Sequence, residues 1–390
     1  ESIQILFGNG FMRVAIFGGA FNPVHREHVK LARAAVTKLN LDKIIIMPTA
    51  VSPHKGGRLS ADFWQRFEMC RLAFAGIPQA EVSNYELTRG GISYTYLTCA
   101  HFASLYSDAE RFFIIGADML DNFPHWKNPE QILQTFSLAA CAREDQNGFY
   151  ECKERVEKMF STTVHTIPYV GEKVSSTKIR TLAAIGERFG AYVTPQVCQY
   201  IEENELYAIE HLRDVKALLK PDRWAHTLRV AEMCAKNASR AGITERQAVI
   251  MGALHDCAKN LQPSSPYLYN FTPPEHALPP VVHQYAGAYV AEHFFGVKDK
   301  LILDAIACHA TGKPDMNGAE TLLYLCDMLE EGRTFDGVEE LRKIFKKDLS
   351  ECLFAAFEHQ MKYLNSTGEP VDGLTAEAYN YLKEKNNGRK

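Results

Sequence analysis

Two groups of residues have the types and spacing to do chemistry. The first is GGAFNPVHREH, from Gly18 to His28. It follows an apolar run and opens a helix-like stretch, an arrangement in which backbone N–H groups and the helix N-terminus attract anions. Gly18 and Gly19 let the backbone approach a ligand closely, and Pro23 restricts the turn. His25 and His28 stand three apart, so in a first helical turn they project to one side. Two imidazoles placed there are donors suited to a triphosphate. The second group lies in the C-terminal half: His226 in WAHTLRV, His255-Asp256 in ALHDCAK, His283 in VVHQYAG, His309 in IACHATG and Asp327 in LYLCDMLE. Each interrupts an otherwise apolar helical pattern. Burying such groups without partners costs on the order of several kcal/mol each, and a shared cation removes that cost. Imidazole and carboxylate without thiolate suit Fe, Mn or Zn and disfavour a structural zinc cage.

These groups need elements to hold them. Residues 12 to about 205 alternate short apolar runs with helix-like stretches. VAIFGGAF reads as a buried strand entering a Gly turn, HVKLARAAVTKLN as a helix, and KIIIMP, RFFIIGAD and FSLAACAR as further strands. The alternation predicts an α/β architecture, a parallel sheet with helices on both faces. From about residue 212 the period becomes helical throughout, with Gly242 and Gly296 as helix stops. QPSSPYLYNFTPPEHALPP is marked by Pro as a loop. The expected organisation is a leader over 1–11 with Met12 as the natural start, an α/β domain over 12–208 and an all-α domain over 212–390.

Composition bounds the function. The 390 residues are 46% hydrophobic and 23% charged, values that support two cores and exclude a disordered or fibrous chain. No apolar run approaches the ~20 residues of a membrane span. A net charge of -4, from 43 basic and 47 acidic residues, leaves no footprint for bulk nucleic-acid binding, so phosphate recognition must be local. Ten scattered cysteines without a CxxC pair read as reduced thiols, which fits a cytoplasmic protein.

The first group resembles the (H/T)xGH motif of the nucleotidyltransferase superfamily, and further matches point to bacterial nicotinate-mononucleotide adenylyltransferases, a Rossmann-like fold. The family's GGxFDPxHxGH appears here with Asn22 for Asp and Glu27 for Gly. A carboxylate beside a triphosphate is unfavourable unless it turns away or meets a cation. MPTAVSPHK resembles PxxxPxHK, which implies that His54 and Lys55 meet phosphate. SYTYLT resembles SYTxxT, with Thr95 near the pyridine substrate. IIGADMLDNFPHWKN resembles the GxD…W segment, with Asp118 near the adenosine ribose or phosphates and Trp126 stacked on the nicotinate ring. Arg143 ends the fourth strand, as in the family. VSSTKIR resembles ISSTxIR, which implies that Ser176, Thr177 and Arg180 hold the ATP phosphates. The implied site uses His25, His28 and Arg180 as catalytic groups. Gly18, Gly19, Phe21, His54, Lys55, Thr95, Asp118, Trp126, Arg143, Ser176 and Thr177 then bind substrate, and Mg²⁺ enters with ATP. The implied reaction joins ATP to nicotinate mononucleotide.

The second group resembles the HD phosphohydrolase superfamily, whose pattern is H…HD…D. HDCAK, HQYAGAYVAEHFFG, CHATGKPDM and LCDMLEEGRTFDGVEELR further resemble the YqeK family of symmetrical diadenosine-tetraphosphate hydrolases. The resemblance implies His226, His255, Asp256, His283, His309 and Asp327 as metal ligands. The two extra histidines suggest two ions, with Lys259 and Arg333 placed to neutralise polyphosphate. The expected whole is a bifunctional enzyme acting on ATP, nicotinate mononucleotide and dinucleoside polyphosphates, with no nucleic acid or membrane partner and with homo-oligomerisation left open. Two other readings stay open at this point. The HD half could be a non-catalytic metal-holding regulatory module, or the transferase could take another acceptor such as the amide mononucleotide or phosphopantetheine.

Overall fold

The computed structural model describes residues 11–50, 59–142, 147–169, 171–172 and 174–387. Among these the chain forms two compact units. The first holds residues up to 50, 60–179 and 189–206; the second holds 59, 180–188 and 207–387.

The first unit is built on β1 (Arg13–Gly19), β2 (Lys43–Pro48), β3 (Ala80–Val82), β4 (Glu110–Gly116), β5 (Ser137–Ala142) and β6 (Val164–Pro168). Around them lie α1 (Arg26–Leu39), α2 (Phe63–Phe74), α3 (Tyr85–Arg89), α4 (Thr95–Leu105), α5 (Ala117–Asn122), α6 (Pro129–Leu133), α7 (Asn147–Phe160) and α9 (Pro195–Glu203), and α8 (Ser176–Ile185) runs out of this unit into the second. All pairings are parallel, in the order β3-β2-β1-β4-β5-β6. Runs such as Ala15-Ile16-Phe17 and Ile44-Ile45-Ile46-Met47 are buried throughout, because helices cover both faces of a parallel sheet. Chain order reverses between β1 and β4, which makes a crevice outside their C-terminal ends, the usual ligand position in such sheets. The Gly19 turn and Gly116 both open onto it.

Two strands escape the hydrophobic pattern. β3 is three residues long and not fully buried, and β6 is an edge strand in which only Val164 and Ile167 are buried. Edge strands lack the continuous apolar run that marks a central strand.

The second unit is helical: α10 (Pro221–Asn237), α11 (Glu245–Leu254), α12 (Val282–His293), α13 (Lys300–Ala307), α14 (Gly318–Leu329), α15 (Val338–Lys347), α16 (Leu349–Thr367) and α17 (Gly373–Asn387). Gly242 and Gly296 take φ of 69° and 66°, the left-handed geometry of helix ends. α11 opens with a capping box in which Gln247 N donates to Thr244 Oγ1 at 3.1 Å and Thr244 N donates to Gln247 Oε1 at 2.9 Å. All ten thiols are free. No helix among the described residues is long and apolar enough to cross a membrane.

The packing of α10 on α11 depends on Gly252. A Cβ there would sit 2.6 Å from Ala231 Cα, backbone that no rotamer change can move aside. Gly252→Ala should therefore lower the stability of the helical unit by roughly 1–3 kcal/mol, the scale of core overpacking. Chemical unfolding followed by circular dichroism measures this, and an unchanged midpoint would contradict it.

Candidate active sites

In the first unit the turn after β1 brings the motif residues to the crevice. Phe21 takes φ of 45°, uncommon for a bulky residue, and its ring folds back beneath Gly19. A Cβ on Gly19 would lie 3.1–3.3 Å from that ring. Phe21 packs edge-on against Phe17, Phe74 and His28. Buried Arg66 braces the turn by donating to the Ala20 carbonyl at 2.8 Å, and Asn22 Oδ1 accepts from Ala61 N at 3.1 Å. The His25 and His28 rings stack with centroids 3.6 Å apart. His28 Nδ1 accepts from His25 N at 3.1 Å, so the neutral ring carries its proton on Nε2, as a donor.

Ser176 Oγ donates to the Pro23 carbonyl at 2.9 Å, which ties the start of α8 to the same turn. Thr177 is half-buried beside it. Glu27 meets cations and donors instead of facing a ligand. Its carboxylate accepts from Lys30 Nζ at 2.6 Å, Glu172 N at 2.9 Å and the Tyr169 hydroxyl. Burial raises its pKa, but these partners outweigh burial and hold it below the ordinary value.

Across the crevice, Asp118 is exposed in the first turn of α5. Trp126 is half-buried against Phe113 and Phe123, with centroids at 6.0 and 5.4 Å. Thr95 opens α4. Glu86, which the sequence did not mark, is buried and accepts from Thr98 Oγ1 at 2.9 Å and Ala50 N at 3.3 Å, joining α4 to the chain after β2. His54, Lys55 and Arg143 lie outside the described residues.

Arg180 has a different partner from the one its motif implies. In the second unit its guanidinium forks onto Glu245, Nε to Oε1 at 2.8 Å and Nη2 to Oε2 at 2.9 Å, with both side chains almost fully buried. Such bidentate pairs are strong and directional. A Glu at the first position of α11 gives no sequence sign that it will meet Arg180.

The second unit brings all six of its marked residues together. His226 Nε2 lies 2.9 Å from Asp327 Oδ1 and 3.9 Å from Asp256 Oδ2. His255 Nε2 lies 3.2 Å from Asp256 Oδ2. Asp256 Oδ1 lies 3.4 Å from His283 Nε2 and 3.6 Å from His309 Nε2. Two ligand sets result, His226-His255-Asp327 and His255-Asp256-His309. His226 Nε2, His255 Nε2 and Asp256 Oδ1 are buried and have no hydrogen-bond partner among the described residues. Lone pairs converging this way fit divalent cations, and the all-N/O donor set suits Fe, Mn or Zn.

Basic side chains rim the cluster. Arg333 Nη2 donates to Asp327 Oδ1 at 2.7 Å, and Lys259 Nζ sits 3.1 Å from His283 Nδ1. Arg223, one turn before His226, donates to Asp256 Oδ2 at 2.9 Å. Its spacing from His226 was the available sequence signal. Glu330, three residues after Asp327, is buried against His226 and also went unmarked.

The charges are tuned by this setting. Burial raises Asp256 and Asp327, but the surrounding imidazoles outweigh it and hold both well below the usual carboxylate range. Burial pushes His283 down to about 3, with His309 and Lys259 adding to the effect. Burial also lowers His255, yet the Asp256 and Asp327 carboxylates overcome it and raise this imidazole.

Comparison with known proteins follows the same division. A cytidylyltransferase-like family model matches residues 16–182, and an HD domain model matches 223–332. A Mycoplasma genitalium protein called a probable nicotinate-nucleotide adenylyltransferase/Ap4A hydrolase is 28% identical over 89% of this chain and 97% of its own. The Mycoplasma pneumoniae protein of the same description is 29% identical over 90% of this chain and 98% of its own. A Clostridium botulinum protein called a probable nicotinate-nucleotide adenylyltransferase is 36% identical over 51% of this chain and 99% of its own. The parallel sheet with its Gly-turn crevice and the helical histidine cluster thus define a nucleotidyltransferase joined to an HD domain. Through its N-terminal half the chain belongs to the nicotinate-nucleotide adenylyltransferase family.

A cluster of this kind predicts a pH dependence, because an imidazole can ligate a cation only when neutral. Protons compete with the cation for the imidazoles, so metal retention should fall as pH drops. Elemental analysis after dialysis across a pH series checks this. Full retention down into the carboxylate range would contradict it.

Proposed function

We propose that the chain is a bifunctional enzyme. Its first unit transfers AMP from ATP to nicotinate mononucleotide, giving deamido-NAD and pyrophosphate. Its second hydrolyses diadenosine tetraphosphate symmetrically to ADP. The observation that carries the reading is similarity along almost the whole chain to relatives described by both activities, over two sites whose geometry suits phosphate chemistry.

In the transferase the attacking group is a phosphate oxygen of the mononucleotide, already an anion, so no general base is needed. The protein must align two polyanions and meet charge growing on the leaving pyrophosphate. The Gly18-Gly19 turn and the N-terminus of α1 offer backbone donors, and His25 and His28 add imidazole donors. Ser176, Thr177 and Asp118 would meet the nucleotide, and Thr95 and Trp126 the pyridine ring. Mg²⁺ arrives with ATP.

In the hydrolase, His226, His255 and Asp327 would hold one cation and Asp256, His283 and His309 another, because the single Nε2 lone pair of His255 can serve only one ion. When bound, such ions polarise the attacked phosphate and make water a better nucleophile at neutral pH. Iron, manganese or zinc fits the donors. Arg223, Lys259 and Arg333 neutralise the polyphosphate and orient the phosphorus under attack. Both nucleotide substrates fit a cytoplasmic location.

Steady-state kinetics on the full chain test the transferase. His25→Ala and His28→Ala should each lower turnover by roughly 10²-fold or more at modest change in KM, the scale of a lost preorganised donor. Near-normal turnover in both would refute the assignment, and parallel assays with the acid and amide mononucleotides decide the acceptor. For the second site, Asp256→Asn should abolish ADP release from diadenosine tetraphosphate while deamido-NAD formation continues. Hydrolysis surviving in that variant would overturn the metal-site reading.

A further inference from the structure

Each histidine of the metal cluster needs something to fix which ring nitrogen carries the proton. His255 Nδ1 contacts the Gly252 carbonyl at 2.8 Å and His309 Nδ1 contacts the Ile306 carbonyl at 2.8 Å. The carbonyl can only accept, so the proton sits on Nδ1 and the Nε2 lone pair faces the cluster. Both carbonyls lie in the last turn of a helix, α11 closing at Leu254 just before His255 and α13 at Ala307 two residues before His309. The last carbonyls of a helix have no N–H partner within it.

His226 cannot use that device. It sits inside α10, where main-chain carbonyls are consumed by the helix itself. Its orienting acceptor comes from another element: Glu330, directly after α14, places Oε1 3.0 Å from His226 Nδ1. The carboxylate is 2% exposed. It is held in turn by Gly332 N, which donates to Oε2 at 2.6 Å, and by Arg229, one turn along α10 from His226. Arg229 balances its charge, so Glu330 is a fixed anion aimed at one imidazole.

We infer that Glu330 is the positioning residue that makes His226 a metal ligand, fixing its proton on Nδ1 and strengthening Nε2 as a donor. The inference rests on the HD-site reading above. A carboxylate behind a ligating imidazole raises its basicity more than an amide carbonyl does, and losing such a partner typically costs ~10–100-fold in metal affinity. The partner behind His226 is thus a carboxylate from another element, whereas His255 and His309 use carbonyls of their own helices.

The test is Mn²⁺ affinity of the full-length chain, measured by titration against a competing chelator. Wild type, His226→Ala, Glu330→Ala and Glu330→Gln are compared, each with its metal-free unfolding temperature. Glu330→Ala should weaken Mn²⁺ binding by ~10–100-fold. Glu330→Gln, which keeps the size and one acceptor oxygen but not the charge, should fall between it and wild type. A purely structural role would lower the metal-free unfolding temperature and leave the affinity of the folded protein unchanged. Affinities of both Glu330 variants within twofold of wild type would therefore overturn the inference. If Glu330→Ala fails to fold, the Gln variant decides alone. Absence of Mn²⁺ binding by wild type would instead overturn the HD-site reading, and with it this inference.

Discussion

Imidazole nitrogens and carboxylate oxygens pressed together in a helical interior impose one requirement on the C-terminal unit: their lone pairs and charge must be answered. Water answers them in solution; here His226 Nε2, His255 Nε2 and Asp256 Oδ1 are buried and have no hydrogen-bond partner among the described residues. Removing either carboxylate from water without a counter-charge costs more than any nearby hydrophobic contact returns. The surrounding structure follows from that need. Arg223 and Arg333 reach in to the carboxylates, and Lys259 reaches the outermost imidazole. Buried Gln284 accepts from Ala310 N and Thr311 N, which fixes the chain just past His309. The unit is built around a charge it does not itself supply.

The α/β unit presents the turn after β1 and the N-terminus of α1 at its crevice, and draws the Glu27 carboxylate aside. The turn at Gly19 needs a residue without a side chain because the Phe21 ring occupies the space a Cβ would take. Glu27 sits between His25 and His28 in sequence, yet Lys30, Tyr169 and the Glu172 amide take up its charge.

Arg180 shows how a buried pair can redirect a motif. A guanidinium forked onto a carboxylate in a dry setting is costly to separate, since either charge left alone would be stranded. Ser176, a turn earlier on the same helix, is tied to the turn after β1 with Thr177 beside it, whereas Arg180 pairs with Glu245. One helix thus carries neighbouring motif residues with quite different partners.

Residue type and period were enough to mark most of the chemistry. A polar residue inside an apolar helical pattern must have a partner, so His226, His255, Asp256, His309 and Asp327 announced themselves, and Gly-Gly between strand and helix announced an anion turn. The central strands were legible because burial on both faces demands unbroken apolar runs. Edge strands β3 and β6 were not, because one side of each meets no neighbour. What the sequence could not express is pairing at a distance. Glu330 and Glu245 look like ordinary charges near helix ends; only the crossing of α14 with α10, and the packing of α8's C-terminal turn with α11, turn one into a ligand's support and the other into an arginine's partner. Side-chain type is local information, whereas the identity of a buried charge's counterpart depends on which helices meet, and that is decided only when the whole core packs.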